Sequence, residues 1–338
     1  MLPPTADGIR RILKKTSKKI VILFTCVGRR VSLLRSFRQA CRRLGHEAVI
    51  IGTDTTEYSA ALQCCDRRYL VKPVAHRDYG REVMDIVRKE KVDLLVPTVD
   101  LDLLVWARRR GRLEKLGCRA LISSDRVVHI CQDKRLTYSF LKEHGFDTPE
   151  TVDATQALKR KRHRWPYFLK PWDGHASRGN QVVHKLEDLR FYGRRIPHCL
   201  VQEFIHGAEH TVDVLVDFEG AVRCVTPRRR IATRAGEVSK GITVNHPGII
   251  EQSKRLIEVL GAGPGVITIQ CFLTEQEHIK FIEINPRFGG GVPLSIKAGA
   301  DFPRWILQLW LGRRPRIPLT GWRDGLVMLR YDEAVWMD

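Results

Sequence analysis

The sequence of 338 residues lacks any long apolar run and any cysteine spacing typical of a structural metal site. Its longest uncharged apolar stretches, such as residues 20–27, are much shorter than the roughly 20 residues that a membrane-spanning helix needs. The nine cysteines form no C-x-x-C pair, and they lie mainly in apolar segments, as Cys26, Cys118 and Cys271 do. We therefore expect a soluble, cytoplasmic protein with reduced thiols and no membrane partner.

Acidic residues are scarce relative to basic ones, with 38 Asp and Glu against 58 Lys and Arg and a formal net charge of +20. Such a field attracts anions generally, including nucleotides, acidic metabolites and nucleic acid. The basic runs at 108–110 and 159–164 carry no interleaved aromatic residues, and no helix-turn-helix, RRM or zinc-finger signature accompanies them. A nucleic-acid-binding protein therefore stays an alternative, and nucleic acid is not the expected partner. The basic first 19 residues lack the apolar segment of a secretory signal.

The first third of the chain alternates short apolar runs with segments of helical periodicity. The runs KIVILFTCV, EAVIIGTD, RYLVKP, VDLLVPTVD and CRALISSD are strand candidates, and the segments between them carry apolar residues at helical spacing. This repetition predicts a parallel, doubly wound sheet over residues 18–125. The first turn, TCVGRR, lacks G-x-G-x-x-G, which argues against a dinucleotide site. For Asp54 and Asp100, a turn or cap role and a substrate contact both stay open.

A predicted hairpin in the last third joins GVITIQCFL to IKFIEIN and is followed by PRFGGG. Period-two alternation puts Ile282 and Ile284 on the apolar face and leaves Phe281, Glu283 and Asn285 on the other. A turn near residues 276–277 would place Gln270 directly opposite Glu283. One carboxylate and two amide oxygens suit Mg²⁺, which favours oxygen ligands. The alternative is a solvated hairpin face closed by a glycine-rich loop.

Two further segments have the composition of a nucleotide site. YFLKPWDGHASRGNQVV has a strand that ends at Lys170, then a loop with Gly174, Ser177 and Gly179, and then a second strand. Backbone N–H groups of such a loop can bind phosphates while the lysine reaches them from the strand. LVQEFIHGAEHTVDVLVD reads as two strands joined by a hinge at Gly207.

The order and spacing of these segments resemble the ATP-grasp superfamily, most closely the ATP-binding units of carbamoyl-phosphate synthase large chains and stand-alone ATP-grasp carboxylate–amine ligases. The resemblance spans about residues 18–310 and includes ICQDKRLTYSF, the Lys170 strand, VQEFIHGAEHTVDV, ITIQCFL and FIEINPRFGGG. It implies ATP and Mg²⁺ as cofactors, with Mn²⁺ as an alternative ion. By position it implies catalytic roles for Arg287, Lys170 and Asn285; ATP contacts for Lys134, Lys170, Gln202, Glu203, Phe204, Ile205 and Glu209; and metal ligation by Gln270, Glu283 and Asn285.

The resemblance also implies a division of the chain and a reaction. The expected parts are a basic tail at 1–17, a pre-ATP-grasp domain at 18–125, an ATP-grasp domain at 126–310, and a C-terminal tail at 311–338 packed on the catalytic lobe. Within the ATP-grasp domain we expect two lobes built on antiparallel sheets, a lid at about 150–202 and a catalytic lobe at about 203–310. The expected activity is an ATP-dependent carboxylate–amine or carboxylate–ammonia ligase that works through an acyl phosphate.

Three points stay open at this stage. A subunit that phosphorylates bicarbonate or carbamate and a catalytically silent ATP-binding regulatory protein are alternative functions. The basic residues Arg228, Arg230 and Lys240 either hold an acidic substrate or form an exposed basic strand. The tail contains an apolar helix pattern, WILQLWLG, and a strand pattern, GLVMLRYDE; a homodimer contact there is the alternative to packing alone.

Overall fold

The computed structural model describes residues 18–174, 179–234 and 236–337. The basic segment 1–17 and the predicted loop residue Ser177 lie outside these ranges. No helix in the described ranges is both long and apolar enough to cross a membrane.

A five-stranded parallel sheet forms the first part of the chain, in the order β3-β2-β1-β4-β5. Its strands are β1 (Lys19–Thr25), β2 (Glu47–Asp54), β3 (Arg67–Leu70), β4 (Leu94–Pro97) and β5 (Arg119–Ala120). The connecting helices are α1 (Val31–Arg43), α2 (Ala60–Gln63), α3 (Tyr79–Glu90), α4 (Leu103–Ala107) and α5 (Arg110–Lys115). Both faces of the sheet bury apolar clusters, which is why β1 and β4 are almost continuously hydrophobic. The predicted parallel, doubly wound sheet is confirmed.

Two helices lead from this sheet to a small antiparallel sheet with the order β6-β9-β7-β8. The helices are α6 (Asp125–Gln132) and α7 (Lys134–Glu143). The strands are β6 (Thr151–Asp153), β7 (Tyr167–Pro171), β8 (Gln181–Val183) and β9 (Cys199–Glu203), covered by α8 (Ala154–Leu158) and α9 (Leu186–Arg195). This sheet has its own apolar cluster, in which Leu169, Val183 and Leu189 are fully buried.

A six-stranded sheet carries the remainder of the fold, in the order β14-β13-β10-β11-β12-β15 with every described pair antiparallel. Its strands are β10 (Ala208–Val216), β11 (Val222–Arg234), β12 (Glu237–Thr243), β13 (Gly265–Leu273), β14 (Ile279–Asn285) and β15 (Val327–Leu329). The helices are α10 (Pro247–Leu260), α11 (Val292–Ala298) and α12 (Phe302–Trp310). The tail packs on this sheet: the Trp322 indole N–H donates to the Val225 carbonyl at 2.9 Å, and β15 pairs with β12.

The large sheet and the first domain share one core. Phe288, just beyond β14, makes an edge-to-face contact with Phe37 of α1 at 5.8 Å between ring centroids, and Phe37 contacts Phe24 of β1 at 5.3 Å. These aromatic pairs bury large apolar area. The loop after β14 is therefore held against the carboxyl end of the parallel sheet, where ligands bind in folds of this kind.

One prediction about the β14 strand is wrong. Phe281 is fully buried in the core and pairs with Cys271, whereas Ile282 is only half-buried. The register shifts between Gln270 and Cys271, so Ile282 is the extra residue of a β-bulge. A bulge resets the period-two alternation, and this places Phe281 on the apolar face with Ile284.

Candidate functional site

The β13–β14 hairpin brings the three predicted metal ligands onto one face. Gln270 is the register partner of Glu283, as the sequence predicts, and Thr268 is the partner of Asn285. The bulge lies beyond these pairs, so Glu283 and Asn285 keep the same side of the strand. Gln270, Glu283 and Asn285 therefore project from neighbouring positions, opposite the core residues Ile269 and Ile284.

The oxygens of these side chains differ in how they are occupied. Asn285 Oδ1 accepts a hydrogen bond from Arg287 at 3.3 Å, and Gln270 Oε1 accepts one from Arg230 at 3.4 Å. Within the described ranges the Glu283 carboxylate has no hydrogen-bond donor, and no group of three or more His, Cys, Asp or Glu could hold a metal. A cation here would therefore rely on one carboxylate, amide oxygens and oxygens of a ligand, a donor set that fits Mg²⁺ with nucleotide phosphates.

A cavity of about 350 Å³ opens beside Glu283 and Asn285. Its walls come from all three parts of the fold, with Asp100 from the parallel sheet, Lys134 from α7, and Trp172 and Gly174 from the loop after β7. The Lys134 ammonium donates to the Gly174 carbonyl at 2.5 Å. Lys134 starts α7 because Asp133 caps that helix, accepting from the Arg135 backbone N–H at 2.9 Å. Gln270, Lys170 and Arg287 do not line this cavity.

Lys170 lies at the end of β7 and is 6% exposed. Its ammonium donates to Gln202 Oε1 at 3.0 Å. Burial lowers the pKa of Lys170 to about 8, an effect that the Glu283 carboxylate opposes and the Lys134 ammonium reinforces. The two lysines and Glu283 therefore share one electrostatic environment, although they come from separate elements.

Arg287 is held in place by the first domain. Its guanidinium donates to the Asp100 carboxylate at 2.5 and 3.2 Å, and the side chain is 14% exposed. Burial alone would lower the pKa of Arg287, but the Asp100 carboxylate outweighs it and the pKa is raised. Arg287 therefore stays charged beside Asn285, and Asp100 fixes its direction.

The predicted hinge residues lie at the end of β9 and directly after it. Glu203 accepts from the Glu150 backbone N–H at 3.1 Å and lies 3.6 Å from the Lys280 ammonium. Phe204 and Ile205 are half-buried. Glu209, at the start of β10, binds the Arg230 guanidinium at 2.5 Å, and burial raises the pKa of its carboxyl.

The predicted substrate residues are placed differently from one another. Arg228 is 1% exposed and makes two hydrogen bonds to Asp213, at 2.8 and 3.0 Å, so it forms an internal ion pair. Arg230 is committed to Glu209 and to the Gly236 carbonyl. Lys240 is exposed on β12. These three cations do not converge on the cavity beside Glu283.

Two family models cover most of this arrangement. Residues 131–291 match the model of the ATP-grasp domain, and residues 22–121 match the N-terminal domain of PylC-like proteins. The chain carries an ATP-grasp domain. The predicted resemblance to ATP-grasp domains is confirmed.

Curated relatives of this ATP-grasp chain include carbamoyl-phosphate synthases. That of Methanobrevibacter smithii is 28% identical over 52% of this chain and 47% of its own length. The large chain of the Clostridium beijerinckii enzyme is 22% identical over 82% of this chain and 27% of its own length. The chain therefore spans about half of the former relative and about a quarter of the latter.

Solved structures share the fold of this ATP-grasp chain. The biotin carboxylase domain of Hydrogenobacter thermophilus 2-oxoglutarate carboxylase, in complex with MgADP, ADP and bicarbonate, gives a TM-score of 0.72 at 18% identity, over 90% of this chain and 73% of that one. The L-amino acid ligase of Bacillus licheniformis gives 0.67 at 18% identity, over 88% and 75%. The N5-carboxyaminoimidazole synthetase of Staphylococcus aureus, complexed with ADP, gives 0.69 at 14% identity, over 94% and 82%.

Sequence reasoning missed several residues around the ATP-grasp site. Asp100 was left open between a cap and a substrate contact, and its role in holding Arg287 depends on a contact between residues 187 positions apart. His129 lines the cavity without any motif to mark it, and Trp172 lies in the segment around Lys170 but was not singled out there. The Arg-Arg pair after β1, in TCVGRR, did carry a signal, because it stands where a parallel strand ends.

Proposed function

We propose that this chain is an ATP-dependent ligase that joins a carboxylate to an amine or ammonia through an acyl phosphate, with Mg²⁺. The observation that carries the proposal is the convergence of Gln270, Glu283 and Asn285 on one face, beside a cavity that Lys134 also lines. The proposal includes the division into a lid lobe at about 150–202 and a catalytic lobe at about 203–310.

The chemistry needs no covalent nucleophile of the protein. One oxygen of the acid attacks the γ-phosphorus of ATP, so a P–O bond to the acid forms while the bond to the departing ADP breaks. The amine then attacks the acyl carbon, the C–N bond forms, and phosphate leaves as the amine loses a proton. Bound Mg²⁺ supplies charge neutralisation on the phosphate oxygens during the first transfer.

The protein residues bind and orient these reactants. We assign Lys134 and Lys170 to the ATP phosphates, because both ammonium groups lie near Glu283. Arg287 would stabilise charge on the transferred phosphoryl group or on the acid, since Asp100 already fixes its guanidinium beside Asn285. Gln202 to Ile205 and Glu209 are assigned to the nucleoside, as the family pattern implies.

The test is ADP release with pools of carboxylic acids and amines. We expect release that depends on both substrates and on Mg²⁺, and that falls by at least about a hundredfold in Glu283→Ala, because the metal loses its one carboxylate. The matched control is Glu275→Ala, an exposed glutamate in the turn of the same hairpin. ATP turnover that survives Glu283→Ala, or a silent protein across all pools, would contradict the proposal.

A second candidate is a unit that phosphorylates bicarbonate or carbamate. The observation that favours it is the similarity to carbamoyl-phosphate synthases in two relatives. It predicts that bicarbonate alone, without an organic acid, stimulates ADP release, and the same assay separates the two activities.

A further inference from the structure

A second group of cations lies beside the glycine loop that follows Arg287, outside the cavity described above. Three arginines surround a small cavity between the loop after β1, the glycine loop after β14 and the tail. They are Arg29, Arg30 and Arg330, and we call them the arginine pocket. The cavity measures about 80 Å³, several times the ~10–15 Å³ that one water requires.

The arginine pocket has an excess of positive charge. Glu237 is the only carboxylate within ion-pair distance of these guanidinium groups among the described residues, at 3.1 Å from Arg330, 3.4 Å from Arg30 and 4.0 Å from Arg29. Asp100 acts on Arg30, and Asp332 on Arg29 and Arg330, only at longer range, so three guanidinium groups share one carboxylate in direct contact. Arg330 also donates to the Val238 carbonyl, whereas the Arg30 guanidinium makes no hydrogen bond of good geometry in the described part of the chain.

The position of the Arg30 guanidinium is electrostatically unfavourable. Its side chain is 18% exposed, and burial together with the Arg287 charge lowers its pKa to about 10. A buried cation beside another cation is unfavourable unless an anion joins them. Gly289 and Gly290, which line the arginine pocket, follow Arg287 closely in the chain, so the arginine pocket lies close to the proposed site of acid activation.

The glycine loop after β14 leaves space for the side chains of the arginine pocket. A Cβ built on Gly290 would lie 2.7 Å from the Arg30 guanidinium and 2.9 Å from the Glu237 carboxylate. With glycine here, both groups can approach the backbone, whereas a side chain would push their ends aside. The apolar side chains of Leu33 and Met328 complete the walls.

We propose that the acid activated at this site carries a second anionic group, a carboxylate or a phosphoryl group, and that the arginine pocket binds it. This proposal rests on the proposed ligase function and narrows its substrate class. Guanidinium groups bind carboxylate and phosphate oxygens through paired hydrogen bonds. Arg287 would face the carboxylate that reacts, and the arginine pocket would hold the other end of a short molecule.

The turnover test compares acids that differ only in the second anionic group. The pairs are succinate and succinamate, glutamate and glutamine, and 3-phosphoglycerate and glycerate, each with MgATP, ammonium and an amino acid pool. We expect the dianion of the accepted pair to exceed its partner by at least about tenfold in kcat/KM, and Arg330→Gln to remove that preference mainly through KM. The first two pairs report a carboxylate, and the third reports a phosphoryl group.

Arg330 is the residue of choice because its side chain is 34% exposed, so its loss should leave the fold intact. Arg30→Gln is the second variant, and Arg313→Gln is the matched control, an exposed arginine of the same tail. Preferred turnover of an acid with a single anionic group, unchanged in Arg330→Gln, would overturn the inference.

A binding measurement keeps the inference separate from the ligase proposal. Malonate is titrated by calorimetry into the wild-type protein without ATP, and then into Glu283→Ala, Arg330→Gln and Arg313→Gln. We expect Glu283→Ala and Arg313→Gln to bind as the wild type does, and Arg330→Gln to bind at least about fivefold more weakly. Equal malonate affinity in the wild type and in Arg330→Gln would refute anion binding by the arginine pocket. An absence of ADP release with every substrate would refute only the proposed ligase function.

Discussion

The lowered pKa of Lys170 makes ATP binding depend on pH in a direction that the structure fixes. The pKa is about 8 because the ammonium is buried and lies near Lys134. Below that pH the ammonium is charged and can pair with phosphate oxygens. Above that pH the amine is neutral in the unliganded protein, and it must take up a proton from solvent when ATP binds.

The magnitude follows from the protonated fraction of Lys170. With a pKa of about 8, that fraction falls from about nine-tenths at about pH 7 to about one-tenth at about pH 9. If only the charged form binds phosphate well, the Kd for ATP rises about tenfold over this range. Near pH 8, binding should also take up about half a proton per ATP.

Calorimetric titration of ATP in buffers of different ionisation enthalpy measures both quantities. Lys170→Arg is the informative variant, because arginine stays charged over this pH range. In this variant the Kd for ATP should no longer depend on pH, while ATP still binds. Lys170→Met should bind ATP weakly at every pH. The thiol of Cys131 in the nearby cavity has a raised pKa and stays neutral, so it contributes no competing step.

If the Kd of Lys170→Arg for ATP depends on pH as strongly as that of the wild type, a group other than Lys170 is titrating and the prediction is wrong. A wild-type Kd that does not change between about pH 7 and about pH 9 would show that the lysine does not contact ATP or that its pKa is ordinary.

Three further predictions use the same fold. Glu283→Gln should raise the Mg²⁺ concentration for half-maximal ADP release by at least about tenfold, and an unchanged Mg²⁺ dependence in that titration would move the metal elsewhere. Asp213→Asn should lower the free energy of unfolding in urea by about 3 kcal/mol, because it leaves a buried guanidinium uncompensated; a loss below about 1 kcal/mol would show that the pair is not buried in solution. Gly207→Ala should cost about 1–3 kcal/mol in the same measurement, because its Cβ would lie 2.5 Å from the Leu273 backbone carbonyl oxygen. Gly111→Ala, in a helix with open space around it, should not lower the stability.

Local patterns were enough to predict the strands of the parallel sheet, though not their order, and the pairing within the β13–β14 hairpin. Continuous apolar strands, amphipathic helices and the position of one short turn placed Gln270 opposite Glu283. The bulge at Ile282 was not predictable, because a bulge inserts one residue without any fixed composition. Phe281 was consequently assigned to the wrong face.

The contacts that join the domains could not be read from periodicity. Asp100 holds Arg287, and Arg330 reaches Glu237 from the end of the chain, over separations of 187 and 93 residues. Each of these side chains is polar and lies next to a loop, so the sequence predicts only that it is at the surface. Tertiary packing decides that they meet.

The glycines after Arg287 show how the fold places cations close together. The position that a Cβ would take is occupied at Gly289 by Thr268, at Gly290 by Arg30 with Glu237, and at Gly291 by Arg228. Two of the three glycines thus make room for a guanidinium group beside the backbone, in addition to any flexibility they provide. The resulting cluster of arginines repels itself, and a bound anion would relieve that repulsion. An acidic substrate should therefore stabilise the folded chain as well as react in it, because a ligand that binds only the native state raises its stability by mass action.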